Sequence, residues 1–86
     1  MKKIIETDES EGLEKLIGEV ITVWCMNYIY AGKLSVVNAT CILLTDASIV
    51  YETGELCAKG DFKDAQKLPG DWYVQIAAIE SFGKLR

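Results

Sequence analysis

Eighty-six residues, of which 50% are hydrophobic, make one domain with a small core, and exclude a disordered segment. A formal net charge of −4 argues against a domain that gains its affinity by blanketing phosphates with cations. With no His, the chain lacks the commonest acid/base at neutral pH, the usual zinc ligand and both familiar nucleophile–base pairs.

Met1-Lys2-Lys3 starts basic, but Glu6 and Asp8 follow at once, so no secretion signal is expected. No apolar run is long enough to span a bilayer. Cys25, Cys41 and Cys57 form no C-x-x-C pair, which suits free thiols in a reducing, cytoplasmic setting.

Residues 7–18 read as a short N-terminal helix. Asp8 and Glu11 have capping-box spacing, Leu13, Leu16 and Ile17 recur with helical period, and Gly18 is the stop. This helix is expected to lie over the core as a cap; the sharper alternative is that its acidic face repels nucleic acid and leaves binding to the other side.

Residues 19–51 read as strands one to three. In the first, Ile21, Val23 and Cys25 share one face, and Val20, Thr22, Trp24, Met26 and Tyr28 the other. Tyr28 and Tyr30 are expected to cover the core with their hydroxyls at the surface; the alternative use is as stacking platforms for bases. In the second, Leu34 and Val36 alternate with Lys33 and Ser35. Gly32 sits inside that strand and marks a bend, a bulge or a close backbone approach. Asn38-Ala39-Thr40 forms a tight turn, because Asn bonds readily to nearby backbone. Cys41 to Leu44 is apolar on both faces, as in a strand covered on both sides.

Residues 52–71 read as a long loop punctuated by Gly54, Gly60 and Pro69-Gly70. Asp61 to Leu68 is expected to carry a helical turn, on which Lys59, Lys63 and Lys67 would share a face. The plainer reading is a solvated loop whose charge Asp61, Asp64 and Asp71 balance. Residues 72–83 read as strands four and five with a corner at Ala77-Ala78. Both are apolar, with no Pro and little charge to blunt an exposed edge, so pairing with another copy is expected.

Gly32, Leu34, Ile42, Leu44, Asp46 and Ala47 together resemble the first sequence motif of the Sm/LSm family, to which the Hfq-like RNA chaperones belong. Asn38 stands where the family turn carries an Asp, and Ala39 and Thr40 where it carries a base-stacking aromatic. Ala78-Ile79 match a step of the second motif, though Ile76-Ala77 replace the nucleotide-donating pair before it. Small acidic members of phage type are the nearest in character.

The resemblance implies a mainly β fold: a small, strongly bent, five-stranded SH3-like barrel with a short N-terminal α-helix, in one domain over 1–86. It implies a homo-oligomeric ring that binds single-stranded RNA or DNA and serves in RNA processing or regulation. The nucleotide contacts expected from it are Asn38 and Thr40 in the turn and Ala77 and Ala78 at the corner, with Lys33, Lys63 and Lys67 toward phosphates. The expected subunit interface is Trp72, Tyr73, Val74, Gln75, Ile76, Ile79, Ser81 and Phe82. The competing expectation is a structural or protein-interaction ring without nucleic acid. No enzyme activity, cofactor, metal or membrane partner is expected: acids cluster only where solvated charge belongs, and no phosphate-cradling Gly loop follows a strand.

Overall fold

In the computed structural model, residues 12–54 and 62–84 are described. A four-residue helix, α1 (Gly12–Lys15), precedes six strands: β1 (Val20–Cys25), β2 (Ile29–Val37), β3 (Cys41–Glu52), β4 (Asp64–Lys67), β5 (Trp72–Gln75) and β6 (Ile79–Lys84). A 3₁₀ turn, Ile76–Ala78, joins β5 to β6. All pairings are antiparallel in one sheet of order β4-β3-β2-β1-β6, with β5 also on β3.

The helix expected over 7–18 is shorter within the described residues, and its first part, residues 7–11, lies outside them. Gly12 has φ +71° and Gly18 φ +93°, so both are in the left-handed region. Leu16 N–H donates to Leu13 O at 3.0 Å, and just past Gly18 Glu19 N–H donates to Leu16 O at 2.9 Å. These three-residue bonds tighten the coil into turns instead of extending it. Gly18 N–H then donates to Leu34 O at 2.8 Å and Leu34 N–H to Glu19 O at 2.9 Å, which pins the segment to β2. Leu13 and Leu16 pack against the core, as a covering helix should.

The loop expected over 52–71 is also corrected. Asp64–Lys67 is strand β4, not a helical turn, so Lys63 and Lys67 do not share a helix face; Lys59 lies outside the described residues. An isolated turn of helix is marginal, whereas the second half of β3 offers a row of ladder partners. Ser48 pairs with Lys67 and Val50 with Ala65, while Cys41 pairs with Gln75 and Leu44 with Trp72. Hence β4 and β5 lie end to end along one side of β3. Leu68 N–H donates to Ala47 O at 2.8 Å between them. Pro69, which has no N–H, and Gly70 then interrupt the ladder. The count among the described residues is therefore six strands instead of five, because the segment read as loop supplies β4.

At the level of that interruption the β2–β3 ladder is irregular. Ala31 pairs with Ser48 and Lys33 with Thr45, so Gly32 alone faces Asp46 and Ala47. Asp46, at φ +53°, is the extra residue of a bulge. A Cβ at position 32 would lie 3.0 Å from Ala47 Cα and 3.1 Å from Thr45 O. Gly32 thus marks both a bulge and a close approach. A second irregularity at Ser35, between the pairs Leu34–Leu44 and Val36–Leu43, turns Val36 outward to 47% exposure. The simple alternation expected of β2 ends there.

Ile21, Val23, Leu34, Ile42 and Leu44 are fully buried, and Ala47 and Val74 complete the core. Burying each of the large side chains stabilises the fold by roughly 1.5–3 kcal/mol. β6 pairs with β1 and β5 with β3, but no ladder joins β5 to β6 among the described residues, so the sheet is not closed. No helix among the described residues is long and apolar enough to cross a membrane.

Candidate functional site

The turn between β2 and β3 is built by Asn38. Its Oδ1 accepts from Thr40 N–H and Cys41 N–H, both at 2.9 Å, and from Thr40 Oγ1 at 3.3 Å. Asn38 N–H donates to Cys41 O at 3.0 Å. The side-chain oxygen is therefore committed to the turn, and the amide NH₂ is the part of Asn38 that remains for a ligand. Thr40 O accepts from Ile76 N–H at 2.9 Å, which ties this turn to the start of the Ile76–Ala78 corner. Asn38, Thr40, Ala77 and Ala78 are all exposed and belong to two adjoining segments.

The lysines lie elsewhere. Lys33 projects from β2 opposite Val20 and Thr45. Lys67 forms an ion pair with Asp46, and Lys63 lies 3.3 Å from Glu52. Both line an open groove of mixed polar and apolar lining beside Asp46, Ser48 and Asp64, along the half of β3 remote from the Asn38 turn. A third pair joins Lys84 to Glu19 at 3.3 Å. Lys63, Lys67 and Lys84 thus each have an anion beside them already.

The residues expected at a subunit interface divide by strand parity in β5, whereas Ser81 and Phe82, neighbours in β6, are both exposed. Val74 is buried in the core, and Trp72, Ile76 and Ile79 pack against it. Tyr73, Gln75, Ser81 and Phe82 are exposed.

A feature that single-residue reading did not assemble is a groove of 320 Å³ between the β1–β2 hairpin and β5. Met26, Asn27, Tyr28 and Tyr30 form one side, and Tyr73, Gln75 and Ala78 the other. The Tyr28 and Tyr30 rings are 6.3 Å apart at a 53° tilt. Burial pushes the Tyr30 phenol up, reinforced by Cys25 and Tyr28 and opposed by a hydrogen bond from Trp72. Burial likewise pushes up the Cys25 thiol, which therefore stays protonated near neutral pH and is a poor nucleophile. Tyr28 and Tyr30 carried a signal in their spacing; Tyr73 did not, because it arrives from a strand more than forty residues away.

No group of three or more His, Cys, Asp or Glu among the described residues could hold a metal ion. No protein-family model, curated protein or solved structure matches the chain.

Proposed function

We propose that the chain is a ring-forming, Sm-like protein that binds single-stranded nucleic acid, RNA in particular. The observation that carries this reading is the bond from Ile76 N–H to Thr40 O. It joins the two segments from which a ring of this type presents nucleotide contacts: the Asn38–Thr40 turn and the Ala77-Ala78 corner. An SH3-like curl is supported by β5 and β6, which pair with different strands yet are linked by three residues. Each keeps one edge without a ladder among the described residues. β6 of one copy added to β5 of the next satisfies both edges, and a head-to-tail contact of that kind closes into a ring. Tyr73 and Phe82, 68% and 39% exposed, flank the joint.

A scaffold ring without nucleic acid is the second reading. It is favoured by the net charge of −4 and by the acids beside Lys63, Lys67 and Lys84. Anisotropy titrations with oligo-U, oligo-A and single-stranded DNA at low and moderate salt separate the two. Light scattering after size exclusion tests the ring. Micromolar affinity by a multimer supports the first reading, multimers with no affinity even in low salt support the second, and a monomer refutes both.

A further inference from the structure

We infer that the tyrosine groove between the β1–β2 hairpin and β5 is a site for an unpaired nucleobase. The inference rests on the nucleic-acid reading above and names where the base sits. Three phenol rings reach the groove from two sides, and Tyr28 and Tyr73 are 52% and 68% exposed. At a 53° tilt Tyr28 and Tyr30 are not stacked face to face on each other. Every base offers a flat π-face to such rings.

The rest of the lining selects among flat ligands. None of its side chains is charged, so neither a phosphate nor a cation finds a counter-charge there. Asn27 and Gln75 each bring an amide with donors and an acceptor, the functional groups that match the edge of a base. A volume of 320 Å³ stands at the small end of ligand sites and suits a base with its sugar better than an extended peptide. Ala78 lines the groove and also ends the corner tied to Thr40, so a strand crossing that corner passes the groove.

A base held this way leaves its phosphate in solvent. Each neutralised phosphate on a single strand adds about −0.7 to the slope of log K against log salt. Binding carried by the groove therefore shows a slope shallower than about −1.

The test uses the full chain. Adenosine and uridine, both uncharged, are titrated while side-chain and backbone amides are followed by NMR. Labelled oligo-A and oligo-U are titrated by anisotropy against the parent, Tyr28→Ala, Tyr73→Ala and the matching Phe variants. The expected result is that the nucleosides shift Asn27 and Gln75. Each Ala variant weakens oligonucleotide binding about tenfold, as loss of a stacking ring does, and each Phe variant retains it. If both Ala variants bind like the parent, the groove assignment fails and the nucleic-acid reading survives. If no oligonucleotide binds in low salt, the nucleic-acid reading fails, and the nucleosides decide the groove: shifts at Asn27 and Gln75 uphold it, and silence overturns it. If Tyr73→Ala instead breaks the multimer while nucleosides shift nothing, the groove belongs to a second copy and the inference is refuted.

Discussion

Replacing Gly32 with Ala tests the bend on which the fold turns. The new Cβ would meet Ala47 Cα at 3.0 Å, Thr45 O at 3.1 Å and Ala47 Cβ at 3.2 Å. Carbon atoms settle at about 3.5–4.0 Å, so the new methyl stands about 0.5–1 Å too close to the Ala47 backbone. None of these neighbours has a rotamer to change, since all belong to the β3 backbone or to an alanine stub. Relief requires β2 and β3 to separate at the Asp46 bulge, where the ladder is already irregular. Overpacking of this kind costs about 1–3 kcal/mol. The lower entropy of the unfolded Ala chain offsets about 0.4–1 kcal/mol. A net loss of about 1–2 kcal/mol lowers Tm by roughly 5–15 °C in a domain of this size. Thermal and urea unfolding, followed by the fluorescence of Trp24 and Trp72, reads this directly at one fixed protomer concentration. Gly83→Ala is the control, because a Cβ there has nothing within 4 Å. If the two variants unfold together, or Gly32→Ala is the more stable, the close approach of the strands is wrong.

Asn38→Ala removes the acceptor of three turn bonds and should lower stability by about 1 kcal/mol, while Asn38→Asp keeps the acceptor and most of the stability; urea midpoints decide. Asp46→Gly should be neutral or stabilising, since φ is +53° and the exposed pair with Lys67 contributes less than about 1 kcal/mol. Asp46→Val should lose about 1–2 kcal/mol in the same assay, because a β-branched residue resists the left-handed region. Ile42→Ala empties a fully buried site and should cost about 2–5 kcal/mol, enough to leave a marginal domain partly unfolded by circular dichroism. The Cys25 thiol and Tyr30 phenol are raised above ordinary values of 9.0 and 10.0, so the folded chain holds those protons more tightly. Their contribution is complete below the ordinary values and is lost as pH climbs through the folded ones. The urea midpoint should therefore fall above about pH 9, and a rise there would contradict the burial of both groups.

Much of the sheet was legible from period alone. Ile21 and Val23 alternate with Val20 and Trp24, and the first pair is fully buried. Gly32 announced an irregularity, a bend, a bulge or a close approach, and the last two are found there. Asn38 announced the turn because its bonds are local, reaching two and three residues ahead. Period failed at Val36, where an extra residue in β2 reversed the facing of everything after it. It failed again at Asp64–Lys67, whose lysine spacing reads as helix while the open flank of β3 draws the segment into a strand. The lysines misled for the same reason: spacing along a chain says nothing about which carboxylate waits across a sheet.

Alternation, a glycine and an asparagine were enough to outline the first three strands, the inward Ile21, Val23 and Leu34, and the turn between two of the strands, because those signals act over a few neighbouring residues. The end-to-end seating of β4 and β5 on β3, the ion pairing of Lys63 and Lys67, and the meeting of Tyr28, Tyr30 and Tyr73 around one groove belong to the folded molecule alone. Each joins residues far apart in the chain, and such a meeting depends on strand register, which one bulge shifts and no local pattern records.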